Sequence, residues 1–458
     1  MTHKFPDGFR WGAATAAYQI EGAVDVDGRT PSIWDTFSHT PGAVLGGDTG
    51  DIACDHYNRY RDDVAVMGEL GLADYRFSVS WTRVLPTDTS QVNQAGLDFY
   101  SRLVDELLDH DIRPLVTLYH WDLPQYLQDR GGWTNRDTAA RFAEYASIVA
   151  ERLGDRVPSF TTLNEPYCSA YLGHASGEHA PGIRNDAAAF TAAHHLLLAH
   201  GLGVQALRSI LRDDQELSIT LNPSVVRPNS EADGDRAAAT LADLVANRVF
   251  FDPLFNGEMS TDLIAATAAT TDWGFVRDGD LELISNPIDF LGVNYYTPAV
   301  VGGTPIPGGS PFPAAPGVYV HPNDGPQTAM GWLVEPEGLT DLLLGLSREC
   351  PDLPLMITEN GSAYPDVVDA NGEVVDTDRA SYLSAHVGAV AEAIAAGADV
   401  RGYLAWSLLD NFEWAWGYSQ RFGIVYVDFA TQTRRVKSSG KLYAKIIAAN
   451  GLPVGESE

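Results

Sequence analysis

Two glutamates in this chain stand where an apolar run stops. FTTLNEPY (160–167) carries Glu165 directly before Pro166, and PLMITENG (354–361) carries Glu359 before Asn360 and Gly361. A carboxylate is rarely buried without a partner, because leaving water costs several kcal/mol or shifts its pKa. Two such groups flanking one bond are the working parts of glycosidic hydrolysis. One, protonated, gives a proton to the leaving oxygen; the other, ionised, attacks the anomeric carbon or activates water. Burial and neighbouring negative charge raise a carboxylate pKa, whereas a cation or donated hydrogen bonds lower it. Arg76 and Tyr296 are candidates for the lowering. The structural alternative is that both glutamates pair with arginines on a rim.

Polar endings recur along the chain. FRWGAATAAYQIEG (9–22) closes on Gln19 and Glu21. IRPLVTLYH (112–120) closes on His120 and runs into Trp121 and Asp122. DFLGVNYYT (289–297) carries Asn294, Tyr295 and Tyr296, and RGYLAWSLLD (401–410) leads through Trp406 to Asn411, Glu413 and Trp414. One polar residue at the end of a run only marks where water begins; their recurrence points to a shared site. Trp121, Trp332, Trp406 and Trp414 lie beside these endings. Flat indoles suit the C–H faces of a pyranose, and Gln, His, Asn and Glu suit its hydroxyls. Trp34 and Trp81 read instead as core packing.

The elements that must position these groups follow from the periodicity. With ADYRFSVSW (73–81), SFTTLNEP (159–166) and LSITLNP (217–223), the runs make eight candidate strands. Amphipathic stretches separate them, among them 97–110, 136–155 and 379–397. Strands alternating with helices predict parallel βα units, and eight of them fit a single (β/α)₈ TIM barrel with long rim loops spanning 1–458. A doubly wound open sheet is the alternative. In a barrel, catalytic groups sit at the C-terminal ends of strands. A carboxylate closing a strand, with Pro166 ending the ladder, fits that demand. The Gly- and Pro-rich segment 302–317 reads as a rim loop.

Composition narrows the partners. A net charge of −31 over 458 residues argues against nucleic acid, an anionic membrane or a strongly anionic substrate. Three cysteines without CxxC spacing make no disulfide framework, and MTHKFPDGFRWGAATAAY reads as neither leader nor membrane span. A cytoplasmic protein is expected. Gly201 to Ala206 loosely matches GxGxxA but interrupts a helical pattern, where a dinucleotide site needs it between strand and helix. His194, His195 and His200 lack metal-ligand spacing. Asn360-Gly361-Ser362 is a glycosylation sequon touching a candidate catalytic residue. Cys168, three residues past Glu165, is given no role.

TLNEP, ITENG, QIEG, HWDLP, NYY and WSLLDNFEW, followed by YSQRFGIVYVD, together resemble glycoside hydrolase family 1, the β-glucosidase family. The resemblance spans nearly the whole chain. It implies a (β/α)₈ barrel and hydrolysis of terminal β-D-glucosides with retained configuration, through a covalent glycosyl-enzyme. Glu165 would be the acid/base and Glu359 the nucleophile, with Arg76 keeping Glu359 ionised, Tyr296 donating to it, and Asn294 at the reaction centre. Gln19, His120, Trp121, Asn164, Glu413 and Trp414 would hold the sugar hydroxyls, Trp406 would be the apolar platform, and Phe422 and Trp332 would line the pocket. Relatives acting on 6-phosphorylated sugars replace the glutamate of NFEW; Glu413 and Trp414 are kept here, so a small neutral sugar is expected. No cofactor or metal is expected, and homo-oligomerisation is left open. A galactoside or fucoside preference and a carbohydrate-binding barrel without turnover are the alternatives.

Overall fold

The computed structural model describes residues 4–322 and 324–452. Eight strands form a closed, all-parallel barrel: β1 Arg10–Ala14, β2 Asp74–Ser78, β3 Arg113–Tyr119, β4 Ser159–Asn164, β5 Glu216–Leu221, β6 Phe290–Asn294, β7 Leu355–Asn360 and β8 Val400–Trp406. Each pairs with its neighbours in chain order, and β8 closes the ring against β1, from Arg10 opposite Gly402 to Ala14 opposite Trp406. Closure leaves no edge strand, so the open-sheet alternative falls away. β2, β4, β6 and β7 are buried along their whole length. That is why they read as near-continuous apolar runs instead of alternating ones.

The helices fall where the 3.6-residue pattern places them: Gln94–Asp109, Asp137–Leu153 and Thr377–Ala395. Each turns an apolar stripe to the barrel, as Leu97, Tyr100, Leu103, Val104 and Leu107 do on the first. The GxGxxA look-alike lies inside the helix Asp186–Arg208. A Cβ on Gly201 would sit 2.2 Å from the backbone oxygen of Leu283, so this glycine permits close packing, not phosphate binding. By length and composition that helix could cross a membrane, but it is mostly buried inside the protein.

Several runs stop short of where the pattern put them. β1 ends at Ala14, and Gln19 sits on a one-turn helix, Ala17–Ile20. β4 ends at Asn164; Glu165 lies just beyond it, with φ +45°, yet its N–H still donates to Thr220 O of β5 at 2.9 Å. The segment read as a bare rim loop is flanked by two short strands, Ala299–Gly302 and Tyr319–Val320, which join Val226–Pro228 in a small sheet over the barrel mouth. Strands this short leave no period-2 signal to read.

Candidate active site

The C-terminal ends of the strands converge on a cavity of about 430 Å³. Glu165, from the turn after β4, and Glu359, near the end of β7, both line it, as do His120, Trp121, Asn294, Tyr296, Trp332, Trp406, Glu413, Trp414 and Phe422. Arg76, Asn164 and Gln19 stand immediately behind that wall, fully buried and bonded to its members. Strand ends separated by nearly two hundred residues meet because the barrel is closed.

The two glutamates are held differently. Arg76 Nη1 lies 2.6 Å from Glu359 Oε1, and the Tyr296 hydroxyl donates to Glu359 Oε2 at 2.7 Å. Glu165 receives Asn294 Nδ2 at Oε1 (2.6 Å) and the Cys168 thiol at Oε2 (3.3 Å), with no cation in contact among the described residues. Asn164 links the two halves: its Oδ1 accepts from Arg76 at 2.7 Å and from Asn294 at 3.1 Å. Burial, then the charge of Glu359, pushes Glu165 up to about 8, against the hydrogen bonds of Asn294 and Cys168. Burial also raises Glu359, opposed by Arg76, Tyr296 and Asn294. Arg76 thus offsets the cost of burial without bringing Glu359 below the ordinary carboxylate range. Glu359 ionises first of the two, because it alone has a cation and a phenol at contact distance. Neither glutamate is a rim ion pair.

At the closed end of the cavity, unspent polar atoms gather. Gln19 donates through Nε2 to Asn411 Oδ1 and Phe412 O, and its Oε1 has no protein partner. His120 accepts from Asn164 Nδ2 at Nε2, which places its proton on Nδ1, also unpartnered. Burial, then Arg76, holds this imidazole neutral. Glu413 is buried and pushed up to about 8 by burial and by Glu359 and Glu165. An acceptor, a donor and a carboxyl in one corner match the demands of vicinal hydroxyls. Trp121 differs from expectation: its indole N–H is spent on Asn164 O, so it offers its ring to the cavity. That ring packs 4.6 Å from Trp414, which rests on Trp34. Trp34 and Trp81 are core residues, nearly closed to solvent.

Three residues of the site take left-handed backbone. Trp121, Glu165 and Trp414 all have φ between +45° and +75°, a region costly for residues with a Cβ. Gly361 follows Glu359 because a Cβ there would fall 1.7 Å from Trp406 O. Asn360 is fully buried and bonded to Tyr295 O, Tyr382 and Tyr403, so the sequon is a structural link between β7, β8 and their surroundings. Behind the loops, Lys437 Nζ bridges Asp410 Oδ1 (2.6 Å) and Asp366 Oδ2 (2.5 Å), while Arg421 takes Asp410 Oδ2 and Arg379 takes Asp366 Oδ1. This buried cluster ties the loop after β8, which carries Glu413, Trp414 and Phe422, to the loop after β7.

Sequence reasoning missed part of the mouth: Tyr167, Leu172, Glu178, His179, Asn222 and Phe312. They come from the turn and short π-helix after Glu165 and from loops, none long enough to show periodicity. His179 carried no signal in the sequence; it lies two residues before Pro181. His194, His195 and His200 bond to Asp280, Trp133 O and Thr162, inside the protein. No group of three or more metal-ligating side chains occurs among the described residues.

A closed parallel barrel with paired carboxyls at its C-terminal mouth defines a class of glycoside hydrolases, and the chain belongs to one of them: residues 1–452 match Glycosyl hydrolase family 1. It is an enzyme of that family. Among its relatives, a bifunctional β-D-glucosidase/β-D-fucosidase of Bifidobacterium breve is 51% identical, covering 98% of this chain and 99% of the relative. β-Glucosidase A of Thermotoga maritima is 47% identical over 98% and 99%. A solved psychrophilic β-glucosidase from Micrococcus antarcticus superposes with TM-score 0.95 at 50% identity over 98% of both chains. The solved family 1 β-glucosidase of T. maritima gives 0.94 at 46% identity over 99% of both.

Proposed function

We propose that the protein hydrolyses terminal, non-reducing β-D-glucosyl residues with retention, and that Glu359 is the nucleophile and Glu165 the acid/base. The Glu359 carboxylate attacks the anomeric carbon as the glycosidic C–O bond breaks, and Glu165 passes its proton to the leaving oxygen. The glycosyl ester on Glu359 then removes that negative charge, the second largest cause of the raised Glu165 pKa. Glu165 becomes easier to ionise and takes the proton of the attacking water. One observation carries this reading: of the buried carboxyls in a single cavity, Glu359 is clamped by a cation and a phenol, and Glu165 by neutral donors alone.

Gln19 Oε1, His120 Nδ1, Glu413 and Trp414 would engage the sugar hydroxyls, with Trp406 beneath the ring and Trp332 and Phe422 toward the mouth. Time-resolved NMR on an aryl β-glucoside tests the mechanism: β-glucose appears first under retention, α-glucose first under inversion. Retention also asks for a carboxyl separation of roughly 5–5.5 Å. A second reading, shared β-fucosidase activity, rests on the bifunctional relative. Cello-oligosaccharides are proposed substrates, in keeping with the relative named 1,4-β-D-glucan glucohydrolase in Thermotoga neapolitana. A single catalytic domain over 1–458 and a cytoplasmic location complete the proposal; the buried, unpaired thiols of Cys54 and Cys168 suit a reducing compartment.

A further inference from the structure

Glu165 has to work in both protonation states, yet no cation touches it. Its two oxygens have separate donors: Asn294 Nδ2 at Oε1, 2.6 Å, and Cys168 Sγ at Oε2, 3.3 Å. Cys168 opens a nine-residue π-helix, Cys168–Ser176, that begins right after the Glu165 turn. Its N–H bonds back to Glu165 O at 3.0 Å. On the far side, Asn222 Nδ2 donates to Sγ at 3.6 Å. The sulfur is therefore fixed from both sides, lines the catalytic cavity and is nearly closed to solvent. Burial and the neighbouring Glu165 push the thiol pKa well up, so Cys168 keeps its proton and acts as a donor, not as a nucleophile.

We propose that Cys168 is a positioning residue that sets the working pH of the acid/base: its S–H donates to the Glu165 carboxylate and favours the ionised form needed to deprotonate water. This rests on the assignment of Glu165 as acid/base. A hydrogen bond to the charged form lowers a carboxylate pKa, and a thiol is a weaker donor than a hydroxyl. The two simplest substitutions therefore act in opposite directions. Cys168→Ala removes the donor and raises the Glu165 pKa; Cys168→Ser supplies a stronger donor and lowers it.

The test is the pH dependence of kcat/KM on an aryl β-glucoside with a poor leaving group, and of kcat on an activated one, with thermal melts to check folding. The alkaline limb of kcat/KM reports Glu165 in the free enzyme. It should move up by about 0.5–1 pH unit in Cys168→Ala and down in Cys168→Ser. Where deglycosylation limits kcat, its acid limb should move in the same directions. A merely structural cysteine would lower activity without moving either limb. Unmoved limbs, or the same direction in both variants, would overturn the proposal. Glu165→Gln is run alongside. If it loses the alkaline limb while the cysteine variants leave it in place, only the role of Cys168 fails. If it keeps that limb, the acid/base assignment fails too.

Discussion

Arg76 and Glu359 meet with 2.6 Å between Nη1 and Oε1, both side chains closed off from solvent. The second guanidinium arm holds Asn164, so the cation of β2 fixes Glu359 of β7 and Asn164 of β4 together. Removing one partner of a buried pair leaves an uncompensated charge, typically at a cost of about 3–5 kcal/mol. Arg76→Met should therefore lower stability and reduce kcat/KM by roughly 10²–10³-fold. With the cation gone, the pKa of Glu359 rises further, and the acid limb of kcat/KM moves to higher pH. Denaturant melts and a pH profile check both parts; an unmoved acid limb would detach Arg76 from the ionisation of Glu359.

Glu165→Ala should separate substrates by leaving group. Cellobiose, whose leaving oxygen needs a proton, should lose on the order of 10²–10⁴-fold. Aryl glucosides with acidic phenols should lose far less in the first step, leaving deglycosylation slow and a burst of released phenol visible in stopped flow. Equal losses on both would take the acid role away from Glu165.

Tyr296→Phe deletes the 2.7 Å donation to Glu359 Oε2 and nothing else in size. A hydrogen bond to a charged group contributes about 1.5–3 kcal/mol, so kcat should fall roughly 10–100-fold. Steady-state kinetics read this directly, and a loss confined to KM would assign Tyr296 to binding instead.

Glu413 sets a stability cost against function. Its folded pKa is raised from 4.5 to about 8 by burial and by two acidic neighbours. A carboxyl raised in this way binds its proton more tightly folded than unfolded. Its contribution to stability is complete below the unfolded pKa and is lost as pH rises through the folded one. Glu413→Gln escapes that loss. The variant should melt higher than the parent by a margin that is small near pH 4 and widens to a few kcal/mol by pH 8, while activity on glucosides drops. Melts across pH decide it; a margin that does not change with pH would remove the protonation argument.

Much of this was legible in the sequence, for a physical reason. Barrel strands buried on both sides appear as apolar runs, and the polar residues at or just past the ends of most of them mark the rim of the cavity. β3 and β7 fall within a residue or so of the runs at 112–120 and 354–361. The turns were not legible. Glu165, Trp121 and Trp414 take left-handed backbone that no periodicity reports, so runs were read one to several residues too long. Cys168 could be counted as near the site, but only the tight turn that bonds its N–H to Glu165 O brings its sulfur to the carboxyl. The spent indole N–H of Trp121 was equally hidden, since nothing in HWDLP says which carbonyl lies within its reach.

The salt cluster around Lys437 gives the chain a late keystone. The eighth barrel strand is complete at Trp406, yet the loop that carries Glu413 and Trp414 into the cavity is fastened by an ammonium thirty-one positions downstream. During synthesis the ring can shut before its mouth acquires a finished shape. The last helix, Ser438–Ala449, follows that lysine directly and is itself anchored to the ring, its Tyr443 hydroxyl bonded to Gly12 O of β1 and Tyr403 O of β8, so losing the tail would loosen mouth and barrel together.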